Sequence, residues 1–236
     1  MEWMQFLTSW DDGYLLDLRI ADLLDRYGMK GTFYVCPAAQ HTAEMLSKDQ
    51  IKALGIRHTI GAHSMTHPKL TQIPAQDALK EIQESRQWVE NTTGKSCTTF
   101  CYPYGATNNA VEQLVQKAGF TNARTTEDLQ FSSSDPFCKP ITLQIAPFPV
   151  RMRFHPMWKV LDPLGPLRSR YRKLRSLGTP HGAMTSWLAL AKYLYAYGLK
   201  NNLPFFHLYG HSREVEKYRM WGELEEFLKF VSATHR

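Results

Sequence analysis

Two carboxylates stand side by side in "LTSWDDGYLLDL", residues 7–18, after a run of apolar and aromatic residues. Neighbouring side chains of a strand point to opposite faces, so Asp11 and Asp12 inside a strand would be sent apart. At a strand end both can turn into one pocket, and Gly13 gives the chain freedom to turn. Asp before Gly is also an ordinary turn signal, so the pair gains chemical meaning only from partners. "HSMTHP" offers them. His63 and His67 are four residues apart and would project from one face of a helical turn. With one carboxylate from elsewhere they make a ligand set suited to zinc or a similar divalent ion, with a position left open for water.

Two further clusters add to this chemistry. In "FCYPYG", residues 100–105, the rings of Tyr102 and Tyr104 suit stacking on a sugar, and Trp10 is a further candidate for that contact. Backbone N–H groups of the same turn can face a developing oxyanion. In "FFHLYGHSRE", residues 205–214, alternation puts His207, Tyr209 and His211 on one strand face. His211 comes last and should lie nearest the catalytic end, whereas His207 fits a buried partner.

These clusters need a scaffold that brings distant segments together. Strands are expected at 3–10, 31–36, 56–63, 97–102, 120–125 and 203–211. Helices are expected at 15–27, from Ser47 to Gly55, and at 74–92, 108–118, 181–198 and 220–232. Ser47 with Gln50 three residues on has the pattern of a capping box. Residues 130–180 are Pro-rich and basic, without clean periodicity. Strands alternating with helices imply a parallel α/β sheet or barrel, whose strand ends are where such folds place their chemistry. The clusters fall at those ends.

The order and approximate spacing of "SWDDG", "HSMTHP", "CYPYG" and the late histidine strand resemble the polysaccharide deacetylases of carbohydrate esterase family 4, the NodB-homology domain. "KGTFYV" also resembles that family's second strand, and the resemblance runs from about residue 3 to 215. It implies one catalytic domain over residues 1–236 with the α/β fold of a distorted (β/α)7-type barrel. It also implies roles. Asp12, His63 and His67 would bind one divalent metal ion, foremost zinc, with cobalt, nickel or manganese as other members of the class. Asp11 would be the general base, the Tyr104 backbone N–H the oxyanion donor, and His211 the acid that protonates the leaving amine. The reaction would remove an N-acetyl group from an amino sugar or N-acetylated glycan and release acetate.

The sequence departs from the family pattern in places. Where members often carry an arginine, two residues before the proline of the third motif, this chain has Cys101. Arg124 could supply that cation from another strand and orient the base. The fourth motif has no clear counterpart, and "LYGHSRE" stands where many members have Leu-His-Asp; Glu214 could orient His211 or face solvent. Two other functions follow from these departures. One is an amidase, cyclic imide hydrolase or deformylase acting on a small substrate; the other is a carbohydrate-binding relic without turnover.

The charge of +6 is uneven: residues 151–175 hold eight basic side chains and one acid, leaving the rest close to neutral. This basic insert, about 151–178 with Trp158 and Tyr171 inside it, is either a solvated excursion or a surface for an anionic glycan or anionic membrane face. No nucleic-acid-binding motif accompanies the charge, so nucleic acid is not an expected partner. No stretch approaches the roughly 20 apolar residues of a membrane span, and no secretory pattern opens the chain. The expectation is a cytoplasmic protein whose four cysteines are thiols.

Overall fold

A computed structural model describes residues 4–38, 44–151 and 162–234. Seven strands form one sheet in the order β5-β4-β3-β2-β1-β7-β6, every pairing parallel. They are β1 Gln5–Asp12, β2 Thr32–Val35, β3 Thr59–Ala62, β4 Thr99–Cys101, β5 Asn122–Arg124, β6 Leu143–Gln144 and β7 Phe205–Gly210. The sheet curls into the distorted (β/α)7 barrel that the sequence implied. The outer strands β5 and β6 do not pair with each other. Residues 125–142 bridge them instead: Lys139 N–H donates to Ala123 C=O, Ile141 N–H to Glu127 C=O, and Thr142 N–H to His207 C=O.

Among the described residues eight α-helices accompany the strands: α1 Asp17–Arg26, α2 Lys48–Arg57, α3 Ala75–Thr93, α4 Asn109–Lys117, α5 Gly165–Ser176, α6 Trp187–Lys200, α7 Ser212–Lys217 and α8 Trp221–Thr234. The capping box at Ser47 and Gln50 is present. Gly55, expected to stop α2, lies inside it; there the missing side chain lets the helix approach Ile60 and Thr93. The expected helix at 181–198 is a short 3₁₀ turn, His181–Met184, and then α6, which Ser186 caps by accepting from Ala189 N–H. No helix among the described residues is long and apolar enough to cross a membrane.

α5 lies in the basic insert, where no helix was expected. Only Pro166 and Leu174 of it are buried, so its apolar stripe is too thin to read. Ionic contacts anchor it: Arg170 pairs with Asp128, and Lys173 donates to the Asp128 carbonyl at 2.5 Å. Arg168 meets Asp162 at 2.6 Å, and Arg151 meets Glu214 at 2.6 Å. With Arg175, whose Nη1 donates to the Thr179 carbonyl at 3.3 Å, at least five of the insert's basic groups face the chain's own carboxylates or carbonyls. Arg153, Trp158 and Lys159 lie outside the described residues, and Tyr171 is exposed.

The main core lies between sheet and helices. Phe6, Tyr195, Phe206 and Phe227 form an edge-to-face cluster there, with Tyr195 and Phe206 centroids 5.5 Å apart. Trp10 is fully buried and packs over Gly210, where a side chain would meet its ring at 3.1 Å. The expectation that Trp10 contacts substrate is therefore corrected, because alternation along β1 turns it away from Asp11. Tyr102 is corrected in the same way. It is fully buried, its ring 5.5 Å from that of Phe100 on the helix-facing side of β4.

The turn after β4 depends on Gly105, at φ 67°. A Cβ there would come within 2.1 Å of Thr126 Oγ1 and 2.7 Å of the Thr126 backbone nitrogen. Gly105→Ala is expected to cost about 2 kcal/mol or more, from left-handed strain plus the clash. A shift of the urea midpoint measures it.

Candidate active site

Asp11 and Asp12 share a pocket because β1 ends in a backbone reversal. Asp12 is left-handed at φ 79°, and Gly13 follows at φ 80°. Alternation would have separated the two carboxylates; the left-handed residue cancels it. Asp and Asn are the side chains that best tolerate that conformation.

His63 leaves the end of β3, but "HSMTHP" is not the expected helical turn. It is a bend with Ser64 and His67 both at φ 61°. Ser64 Oγ accepts from His67 N–H at 3.0 Å. Glu81 of α3 clamps the bend from outside, accepting from Met65 N–H at 2.8 Å, Thr66 N–H at 2.9 Å and the Thr66 hydroxyl at 2.7 Å. The two imidazoles still converge, with Nε2 atoms 3.1 Å apart. Each lies 3.7 Å from Asp12 Oδ1.

These separations match the edges of a tetrahedron around a zinc-sized ion, about 3.3 Å for bonds of about 2.0–2.1 Å. The donor chemistry fits as well. His63 Nδ1 lies 2.7 Å from the Cys101 carbonyl. A carbonyl only accepts, so Nδ1 carries the hydrogen and Nε2 is left with its lone pair toward the pocket. Asp12, His63 and His67 thus form a candidate metal centre. Asp11, His63 and Cys101 are also close enough to one another. That set is the poorer one, because Asp11 already binds an arginine and burial holds the Cys101 thiol well above its usual pKa.

The arginine is Arg124 of β5, almost fully buried. Its Nη2 lies 2.5 Å from both oxygens of Asp11 and 2.8 Å from Cys101 Sγ. Its guanidinium sits between two rings, 4.3 Å from the Tyr209 centroid and 5.3 Å from that of Tyr34. Burial alone would raise the pKa of Asp11. The charges of Arg124, His63 and His211 outweigh it and bring the carboxyl down to about 2. Cys101, in the place of the expected arginine, leaves room for the guanidinium that arrives from the next strand.

His211 follows β7 and occupies the residue before α7, without a side-chain capping hydrogen bond. Ser212 Oγ, donating to Asp17 Oδ1 at 2.5 Å, ties that helix start to α1. His211 Nε2 lies 3.8 Å from Asp12 Oδ2 and 3.4 Å from the Tyr209 hydroxyl, and its Nδ1 lies 3.6 Å from Glu214. Burial disfavours the charged imidazole, but Glu214, Asp11 and Asp12 move its pKa up. His207 is on the same strand face but deeper, 2.8 Å from Ser9 Oγ. Tyr104 is exposed at the rim, its ring centroid 4.6 Å from that of His67. Sequence reasoning gave no role at this site to Glu81 or Tyr209, and counted Arg151 only in the basic insert. Only Tyr209 left a trace, through its alternation with His211.

Glu214 does not face solvent alone: it touches His211 and receives Arg151 Nη2 at 2.6 Å. Burial would raise its pKa, yet His211 and Arg151 bring it from 4.5 down to about 2. A depressed folded-state pKa stabilises the fold above the unfolded value and stops doing so as pH falls through the folded one. Glu214→Gln is therefore expected to cost about 1–2 kcal/mol at pH 7, allowing for solvent screening of a partly exposed pair. Urea midpoints of variant and wild type should converge as pH drops from 4.5 toward 2.

A sequence profile described as polysaccharide deacetylase matches residues 5–123, half of the chain. The chain belongs to the polysaccharide deacetylase family. The match spans Asp11, Asp12, His63, His67 and the Pro-Tyr-Gly turn, and it ends before Arg124 and His211. Among curated relatives of this deacetylase-family chain is the peptidoglycan-N-acetylglucosamine deacetylase PgdA of Listeria monocytogenes. It is 29% identical over 115 residues, covering 49% of this chain and 24% of the relative. The peptidoglycan-N-acetylmuramic acid deacetylase PdaC of Bacillus subtilis is 33% identical over 99 residues, covering 42% and 20%. The chain thus spans only a fifth to a quarter of the length of these two curated relatives. Two solved structures share the fold. BC0361, a polysaccharide deacetylase from Bacillus cereus, has a TM-score of 0.51 at 20% identity, over 58% of this chain and 46% of that one. A mutant of BA3943, described as a CE4 family pseudoenzyme with restored enzymatic activity, has a TM-score of 0.57 at 12% identity, over 99% and 64%.

Proposed function

We propose that this chain is a divalent-metal-dependent deacetylase that hydrolyses the N-acetyl group of an amino sugar within a glycan. The observation that carries the reading is the meeting, at the C-terminal ends of β1 and β3, of three metal-type donors 3.1–3.7 Å apart with an arginine-paired carboxylate beside them. The names of the relatives, deacetylases of peptidoglycan and chitin, support the substrate class.

Asp12, His63 and His67 would hold the ion, zinc by donor type. A bound ion would supply polarisation of the acetyl carbonyl and a water of pKa near neutrality. Asp11 takes a proton from the attacking water. Arg124 keeps that carboxylate ionised and aimed, at the cost of low intrinsic basicity. The water oxygen adds to the acetyl carbon, and the Tyr104 N–H donates to the resulting oxyanion. His211, protonated beside Glu214, gives its proton to the amine nitrogen as the C–N bond breaks. Acetate and a free amino sugar leave. The exposed Tyr104 ring next to His67 is a platform for the sugar face.

Acetate release from N-acetylglucosamine oligomers, set against hydrolysis of simple amides and cyclic imides, tests the reading. Turnover of the oligomers is the expected result. Hydrolysis of the small amides or imides alone would overturn it.

A further inference from the structure

One nitrogen of Arg124 pairs with Asp11, not two. Nη2 donates to both carboxylate oxygens at 2.5 Å, while Nη1 turns away to the Thr125 carbonyl at 3.1 Å. An arginine that spends two nitrogens on a carboxylate fixes its own plane. A single nitrogen is a pivot, about which the guanidinium can turn while keeping its partner. The plane must therefore be held by its neighbours. Two rings flank it, with centroids 5.3 Å (Tyr34) and 4.3 Å (Tyr209) from the guanidinium carbon.

The two rings are anchored differently. The Tyr34 hydroxyl bonds to Thr99 Oγ1 at 2.8 Å, which in turn donates to Asn122 at 2.9 Å, away from the reacting groups. Tyr209 is the closer ring, is buried, and has its hydroxyl 3.4 Å from His211 Nε2. Nδ1 of His211 faces Glu214 at 3.6 Å, so Nε2 is the nitrogen left to serve the leaving amine. A partner at about 2.9 Å would aim Nε2 and also compete for its hydrogen; a bond of 3.4 Å is at the weak end of the range and aims it with little competition. Arg124 and Tyr209 stand on β5 and β7, with four strands between them in the sheet. Tyr209 thus spans the barrel interior and touches the partner of the base and the acid at once.

We propose that Tyr209 is a positioning residue for both arms of the reaction: its ring sets the plane of Arg124 against Asp11, and its hydroxyl aims His211 Nε2. This rests on the base and acid assigned above.

Acetate release by Tyr209→Phe and Tyr209→Leu, alone and combined with Asp11→Asn or His211→Ala, tests it. Tyr209→Phe keeps the ring and removes the hydroxyl; Tyr209→Leu removes both. Expected are a kcat loss of about tenfold in Tyr209→Phe and at least about 100-fold in Tyr209→Leu, with KM within about twofold, the scale of loss when reacting groups are misplaced by about 1 Å. Bound zinc should stay at the wild-type level in both. The loss in Tyr209→Phe should vanish in the His211→Ala background, and the additional loss in Tyr209→Leu should vanish in the Asp11→Asn background. A side chain that only filled space would lower the melting temperature and carry the same loss into every background. That result would overturn the proposal, as would Tyr209→Phe at the wild-type rate or Tyr209→Leu no slower than Tyr209→Phe. Should Tyr209→Leu not fold, Tyr209→Phe decides through its dependence on His211. The ratios are taken on whichever amide the wild type hydrolyses. A wild type inactive on the oligomers would thus defeat the deacetylase reading, while the role of Tyr209 would be decided by the same ratios on simple amides.

Discussion

Asp11→Asn is expected to lower kcat by about 10²–10⁴-fold, the range ascribed to a positioned general base, while bound metal stays at the wild-type level. The substitution keeps size and shape and removes the ability to accept a proton. It also strips Arg124 of its counter-charge. Both partners are almost fully buried, and breaking such a pair from one side costs about 3–5 kcal/mol. The variant should therefore unfold at lower urea, and its kinetics belong at a temperature where circular dichroism shows it folded. Metal content by mass spectrometry separates the two roles in the aspartate pair. Loss of turnover with metal retained assigns proton transfer to Asp11. Activity within tenfold of wild type would remove that assignment, and loss of metal would make Asp11 a ligand.

Removing the ion should have the other large effect. Incubation with a strong chelator is expected to cut acetate release by more than about 10³-fold, since on the proposed mechanism a bound ion would bring the pKa of water from 15.7 to near 7. Added zinc should restore it. His67→Ala leaves one imidazole and one carboxylate, so its zinc affinity should fall by at least about 100-fold, beyond what loss of an outer-shell partner costs. Competition with a chromophoric chelator measures this. The metal-loaded wild type should also melt higher than the stripped protein, whereas His67→Ala should show little such difference at the same zinc concentration. An unchanged rate in chelator would contradict the metal-dependent mechanism.

Much of this arrangement was legible in the sequence because its signals are local. The Asp-Asp-Gly strand end and the Ser47–Gln50 box each rest on a few adjacent residues, the β/α alternation on periodicity within each segment, and all three appear. The rest depends on contacts that no local pattern encodes. The imidazoles converge through left-handed Ser64 and His67 and the distant Glu81, not through helical spacing. Trp10 and Tyr102 looked like pocket residues because they adjoin motif residues; alternation puts them on the packed face. α5 was hidden because ion pairs, more than an apolar stripe, fix it in place. Arg124 could be named as the replacement cation, but its room beside Cys101 is a matter of side-chain volume across two strands.

The left-handed backbone at Asp12 also limits which sequences can occupy this position. Glycine would accept φ 79° yet bring no donor, and β-branched or bulky residues are strongly disfavoured there. Glutamate has the right charge but lacks both the conformational tolerance and the reach of the shorter acid. Asparagine alone matches the backbone and keeps an oxygen, and it gives up the negative charge. Position 12 is thus a bottleneck for drift and for directed evolution: libraries randomised there should return aspartate almost exclusively, however permissive the surrounding loop proves.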